Sequence, residues 1–141
     1  MTNSERKNHP YLAQLVGPYV QAAKHDGLLF LSGLTALGSS AQGRSVGEQL
    51  AAIGQALANI AKCERTDLSS LVKVTLFVTS LSFATELRAA WSEHFADCSA
   101  LSSLVQIGKL QSPDVLVEVE AVLALPPGSV PSNGVPSSDL T

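Results

Sequence analysis

The stretch that decides the fold is LVKVTLFVT, residues Leu71–Thr79. Its side chains alternate between two sets, with Val72, Val74, Leu76 and Val78 on one face and Lys73, Thr75, Phe77 and Thr79 on the other. A period of two is typical of a strand that buries one face. We therefore predict a half-buried strand in the middle of the chain.

Two amphipathic helices are predicted on either side of this strand. The first, from about Ser45 to Lys62, places apolar residues at spacings of four, three, four and three: Val46, Leu50, Ile53, Leu57 and Ile60. The second, from about Ala84 to Ala96, carries Leu87, Trp91 and Phe95 on one face. Both helices need a sheet to cover their apolar stripes.

Four further strands are predicted around these elements. They are Tyr19–Ala23 and Leu28–Ser32, joined by a turn at His25-Asp26-Gly27, then Ser103–Ile107 and Val115–Leu125. The order β-β-α-β-α-β-β indicates an α+β fold with two helices on one face of a sheet of five or six strands. The other face then requires cover from another copy of the chain, which predicts an oligomer.

One domain, 16–125, is predicted between two flexible segments. Residues 1–15 are mostly polar, and the segment from Pro126 to Thr141 contains four of the seven prolines and few large apolar residues. Such segments bury too little apolar surface to offset the entropy of ordering.

Composition excludes several functions. A net charge of -3 with scattered basic residues offers no surface for a nucleic-acid partner. No apolar run is long enough to span a membrane. Cys63 and Cys98 show no metal-ligand spacing, which favours reduced thiols and a cytoplasmic location. Phosphate-loop and zinc motifs are missing, so we expect neither a metal nor a cofactor.

Several fragments, in order, resemble the RidA/YjgF family over Gly17 to about Leu125. They are Gly17-Pro18-Tyr19-Val20-Gln21, Leu29–Gly33, Asn59-Ile60, Val72–Val78, Trp91 with Phe95, and Val117–Ala121. The resemblance implies a chorismate-mutase-like fold of the bacillary type and a homotrimer with small-molecule clefts between subunits. It also implies hydrolysis of enamines and imines, such as 2-aminoacrylate, without a cofactor. Some members carry the name endoribonuclease, for which the charge of this chain gives no support.

One position departs from that pattern. Imine-hydrolysing members bind the substrate carboxylate with an arginine, and by resemblance Ser102 stands at its position. A hydrogen bond to a charged group contributes about 1.5–3 kcal/mol, so we expect weak activity on ordinary 2-imino acids. Ser102 and Ser103 either offer hydroxyl groups to a neutral ligand or simply begin a strand.

The resemblance also assigns a water-orienting role to Glu120. Glu118 and Glu120 are two residues apart and share one strand face. A carboxylate that accepts a hydrogen bond from water can direct it at a C=N bond. The alternative is that both glutamates are solvated or paired at an interface, which we favour for Glu118.

Three more cleft residues and one substitute cation follow from the resemblance. Tyr19 and Ser32 match cleft positions, and Gly33 would allow close backbone approach to a ligand, although plain packing would also explain them. Arg88, on the second helix, either delivers a cation into the cleft or forms a weak surface pair with Glu86 or Glu93.

Two functions remain open on this sequence. One is hydrolysis or a related conversion of a non-standard imine, enamine or carbonyl intermediate in the clefts of a homotrimer. The alternative is a non-catalytic trimer that binds a small metabolite or regulates another protein. Retention of Glu120, Tyr19 and Ser32 favours the first, and the serine at position 102 favours the second.

Overall fold

The computed structural model describes residues 4–7, 21–95 and 98–128, which form six strands and two helices. The strands are β1 (Ser4–Lys7), β2 (Ala22–His25), β3 (Leu28–Leu34), β4 (Leu71–Val78), β5 (Leu101–Gln106) and β6 (Val117–Ala124), and the helices are α1 (Val46–Cys63) and α2 (Ala84–His94). Neither helix is long and apolar enough to cross a bilayer.

The strands form one mixed sheet in the order β1-β2-β3-β6-β4-β5. β4 and β5 run parallel because α2 connects them, and every other neighbouring pair is antiparallel. The predicted mixed sheet with two helices is confirmed, and β1 and β5 form its edges.

The core lies between α1 and one face of the sheet. Each apolar residue predicted for the stripe of α1 is at most 1% exposed: Val46, Leu50, Ile53, Leu57 and Ile60. Ser45 begins this helix, since its hydroxyl oxygen accepts a hydrogen bond from the backbone N–H of Glu48. α2 packs beside α1, where the ring of Phe95 lies so close to Gly54 that a Cβ there would be 2.8 Å from Cζ.

A buried amide ties α1 to the loop that leads into β6. Gln49 is fully buried, and its Nε2 donates to the carbonyl oxygens of Arg44 (3.0 Å) and Asp114 (2.8 Å). Its Oε1 accepts from the backbone N–H of Leu116 (2.9 Å). Because every polar atom of this side chain is paired, its burial fixes the loop without leaving an unsatisfied group.

The first strand differs from the prediction of a flexible segment over residues 1–15. Ser4–Lys7 pairs with β2, and the Oγ of Ser4 lies 2.7 Å from Nδ1 of His25. Lys24 lies 3.8 Å from a carboxylate oxygen of Glu5 and 2.9 Å from one of Glu64. Backbone pairing and these charged contacts hold β1 against β2. Its sequence does not predict a strand, because it has no alternation of apolar residues. The rest of the segment, like residues 129–141 of the predicted tail, lies outside the described residues.

The predicted face assignment of β4 is wrong at its start. The pairing of β4 with β6 shifts register between Leu71 and Lys73, so Leu71 is buried while Val72 is 40% exposed. A β-bulge of this kind reverses the alternation locally. Strand ends also differ: the strand predicted over Tyr19–Ala23 is described over Ala22–His25, and the strand predicted over Ser103–Ile107 is Leu101–Gln106.

Candidate functional site

The sheet has an open face on the side opposite the helices. Along β6, Val117, Val119, Ala121 and Leu123 point to the core, which leaves Glu118, Glu120 and Val122 on the open face. The prediction that Glu118 and Glu120 share the face away from the helices is therefore confirmed. Both carboxylates are carried by a central strand, which gives them a rigid backbone.

Strand register arranges residues of the open face in rows, because directly paired residues project to the same side. Two of these rows contain residues that line a cavity. In the first row Thr75 of β4 pairs with Glu120 of β6 and with Ser103 of β5. In the second row Lys73 pairs with Val122 and Leu101, and Val122 pairs in turn with Phe30 of β3.

An open cavity of about 470 Å³ lies over these rows, a volume within the range of small-molecule sites. Its lining is mostly apolar and comes from four strands: Phe30, Leu31, Val72, Lys73, Thr75, Leu101, Glu120, Ala121 and Val122. Phe30 and Leu101 are 42% and 67% exposed, so large apolar surfaces border the cavity.

Charge in the cavity comes from one carboxylate and one ammonium group. Glu120 is exposed, and within the described chain its carboxylate forms no hydrogen bond or ion pair. Lys73 is half-buried, and its Nζ donates to the Oγ of Ser103 at 3.3 Å. The two groups therefore face the cavity without neutralising each other.

Glu118 lies outside this cavity, over the backbone of β3. A Cβ on Gly33 would be 2.6 Å from Cδ of Glu118, and Oε1 of Glu118 is 3.5 Å from Nε2 of Gln111. Gly33 thus makes room for the Glu118 side chain, where the sequence predicted room for a ligand.

The two serines of the predicted site lie on opposite faces. Ser103 shares the open face with Thr75, whereas Ser102 pairs with Val74, which is fully buried on the covered side. Strict alternation along a strand permits only one of two neighbouring residues on a given face. The structure therefore brings Ser103, and not Ser102, towards Glu120.

Of the other predicted residues that the structure describes, neither Arg88 nor Ser32 lines the cavity. Arg88 is exposed on α2, in the layer on the covered side, and among the described residues it forms no ion pair with Glu86 or Glu93, the alternative considered for it. Glu86 accepts from the backbone N–H of Gly47 (2.7 Å). Ser32 is half-buried near the register shift of β3, where its N–H donates to the carbonyl of Gln21. Tyr19 lies outside the described residues.

Lys73 is the cavity residue that the sequence analysis did not select. Its alternation with Val74 already placed it away from the core, but the strand order was needed to bring it near Glu120. No three His, Cys, Asp or Glu side chains within residues 4–7, 21–95 and 98–128 cluster as a metal site.

Comparison with known proteins identifies relatives over most of the chain. Residues 11–125 match the family model described as Endoribonuclease L-PSP. "Protein mmf2, mitochondrial" of Schizosaccharomyces pombe is 31% identical over 112 residues, which cover 77% of this chain and 88% of that protein. "Reactive Intermediate Deaminase A, chloroplastic" of Arabidopsis thaliana is 28% identical over 113 residues, covering 78% and 60%. The crystal structure of yeast Mmf1 superposes with a TM-score of 0.78 at 20% identity, covering 88% and 100%.

Proposed function

The chain belongs to the RidA/YjgF family, whose model is described as Endoribonuclease L-PSP, and from this premise we propose that it hydrolyses the C=N bond of a small imine without a cofactor. The chorismate-mutase-like fold expected for the family is the fold observed. The name of the Arabidopsis relative, a reactive intermediate deaminase, supports deamination as the reaction.

The observation that carries this proposal is the carboxylate of Glu120, which faces a mostly apolar cavity and has no hydrogen-bond or ion-pair partner among the described residues. Such a carboxylate is free to accept a hydrogen bond from water. Thr75, directly opposite on β4, offers a hydroxyl group that can donate to the same water or to the substrate.

In the proposed reaction, the oxygen of the oriented water adds to the imine carbon while a water proton passes through Glu120 to the imine nitrogen. The hydroxyl proton of the resulting carbinolamine then passes to its nitrogen, the C–N bond breaks, and ammonia leaves as the C–O bond becomes a carbonyl. An enamine enters the same path after it tautomerises to the imine. One water is consumed for each ammonia released, and no atom changes oxidation state in the overall hydrolysis, so no oxidant or reductant is needed.

The active assembly is proposed to be a homotrimer with the cavity at a subunit interface. Apolar residues on strands around the cavity are unusually exposed: Phe30 42%, Val72 40%, Leu101 67% and Val105 40%. Exposed apolar surface of this kind marks an interaction site. A second copy would both cover these residues and close the cavity.

The departure at Ser102 bears on the choice of substrate. Because Ser102 pairs with Val74 on the covered side, its hydroxyl group is poorly placed to replace an arginine above Glu120. The proposed substrate is therefore an imine that is not held from this position. A cytoplasmic location is part of the proposal, although the fission-yeast relative is named as mitochondrial.

The test is ammonia release from freshly generated 2-aminoacrylate and from a panel of imines, comparing wild type with Glu120→Gln. The variant keeps size and hydrogen-bonding shape but cannot take a proton, so we expect turnover to fall about 10²–10⁴-fold. Glu118→Gln is the matched control, since it changes the same residue type on the same strand outside the cavity. It should retain wild-type turnover.

Two outcomes would count against catalysis. Equal activity of Glu120→Gln and wild type would remove the water-orienting role. Failure of wild type on every imine, with intact trimer mass by light scattering, would favour the alternative of a metabolite-binding or regulatory trimer.

A further inference from the structure

We infer that Lys73 binds the carboxylate of the substrate in this cavity, a role that the family resemblance gives to an arginine at the position of Ser102. This inference rests on the proposed function for the imine, but the binding of a carboxylate is separable from turnover. It gives the substrate an anchor on β4, whereas the sequence alone directs attention to Ser102 on β5 and Arg88 on α2.

The position of Lys73 carries the first step of the argument. It lies in the centre of the open face, between Val122 and Leu101, one row from the pair of Thr75 and Glu120. Among the described residues that line the cavity it is the one cation. Arg88, the substitute considered from the sequence, lies in the helical layer on the other side of the sheet.

The contacts of Lys73 leave it available to a ligand. Its Nζ donates to the hydroxyl oxygen of Ser103 at 3.3 Å, and no carboxylate within the described chain lies within ion-pair distance of it. An ammonium group has three donors, so two stay free for a bound carboxylate. Ser103 is also placed to donate its own hydroxyl proton to the same anion.

The placement of the two charges in the cavity also points to an anion at Lys73. A neutral ligand would leave Lys73 half-buried among Phe30, Val122 and Leu101 with a single neutral partner. An anionic ligand beside Glu120 alone would meet a like charge, and Lys73 offsets that repulsion. A cavity with one cation and one carboxylate therefore suits a ligand with an anionic end at Lys73 and a reactive carbon near Glu120.

The sheet sets the size of the ligand. Ser103 and Glu120 are two strands apart in one row, so their Cα atoms lie about 10 Å apart at the usual spacing between strands. Subtracting the reach of the two side chains leaves room for a water and a chain of a few carbon atoms. The geometry therefore favours short imino acids over bulky ones.

The experiment is titration calorimetry of the purified full-length protein with pyruvate and with pyruvamide, which differ in the carboxylate. Wild type should bind pyruvate about tenfold to a hundredfold more tightly, the range expected for one hydrogen-bonded charge pair. Lys73→Met keeps the aliphatic stem and should abolish the preference, while Lys73→Arg should retain much of it. Lys109→Met, at an exposed lysine away from the cavity, is the matched control and should behave as wild type.

Several results would overturn the inference. These are a wild type without the preference, a Lys73→Met variant that keeps it, or no measurable pyruvate binding up to tens of millimolar. Circular dichroism and mass establish that Lys73→Met is folded, and Lys73→Gln replaces it if it is not.

The two proposals fail separately. Pyruvate binding that depends on Lys73 without any imine turnover would refute catalysis and leave the anion site in place. Turnover without a preference for the carboxylate would support catalysis and refute the anion site. Glu120→Gln should lose turnover while keeping the preference for pyruvate.

Discussion

The two faces of the sheet are made by the same strands and have opposite surroundings. On the covered face, Val74, Val78, Val117, Val119 and Leu123 are all fully buried beneath the helices. On the open face, alternate residues of β4 and β6 carry an ammonium group, a hydroxyl group and two carboxylates among exposed apolar side chains. Helices of the same chain pack on the covered face, whereas within the described residues no helix packs on the open face.

The difference separates stability from function along single strands. A residue on the covered face contributes by burial, which contacts within one chain already provide. We propose that a residue on the open face contributes to assembly or chemistry, because no helix of the described chain covers it. Changes on the first should act on folding, and changes on the second on mass or activity.

The largest effect is expected from a comparison of two leucines, one packed against the covered face and one on the open face. Leu57 of α1 is fully buried against the covered face, and Leu57→Ala should lower the free energy of unfolding by about 2–5 kcal/mol through lost burial and a cavity. Leu101→Asp, on the open face, should leave the far-ultraviolet circular dichroism of the chain intact but lower the mass measured by light scattering from that of a trimer.

Leu81→Asp is the control for this comparison. Leu81 is 52% exposed but lies in the short turn before α2, away from the open face, so its variant should keep the wild-type mass. The contrast between faces would be refuted if Leu101→Asp unfolded the chain as much as Leu57→Ala did.

The contrast also explains which features the sequence predicted well. The stripe of α1 and the shared face of Glu118 and Glu120 follow from periods of 3.6 and 2, which the local chain sets. The prediction that Val72 shares a face with Val74 was wrong, because the β-bulge at this point depends on the pairing with the partner strand. β1 was missed because its four residues have no apolar pattern and are held by pairing and charge.

The sequence could not predict which residues of different strands meet in the site, because it does not give the order of the strands in the sheet. Glu120 could be selected from the family pattern, but Lys73 joins it only because β6 and β5 flank β4. The placing of Ser102 and Ser103 together was avoidable, since alternation forbids neighbours from sharing a face. Whether Tyr19 and Ser32 contribute to the site stays a prediction.

The second largest expected effect concerns Gln49, a polar side chain that is buried on the covered side of the sheet. Gln49→Leu would leave the carbonyl of Arg44 and the N–H of Leu116 without the partner that Gln49 provides, and the carbonyl of Asp114 with the N–H of Gly43 alone. Each buried unpaired group costs about 1–3 kcal/mol, and we expect a total loss of about 2–3 kcal/mol because groups near the loop surface regain water. Urea denaturation measures it.

Gln55→Leu provides the matched change on the same helix. Gln55 is exposed and bonds to Asn59 alone, at 3.2 Å, so its loss should cost little. Equal destabilisation by the two variants would show that the buried amide does not hold the loop.

The smallest expected effect is a dependence on pH at the loop that Gln49 secures. Hydrogen bonds from Ser112, and then from Gln42, hold the pKa of Asp114 below its ordinary value. A carboxyl group with a lowered pKa in the folded state stabilises the fold above its unfolded pKa, and this contribution is lost as the pH falls below about 4. Ser112→Ala should raise the pKa of Asp114 measured by NMR titration and reduce the loss of stability on acidification. Because the group is exposed, the change should be small, and an unchanged pKa in Ser112→Ala would show that the hydroxyl group of Ser112 does not set it.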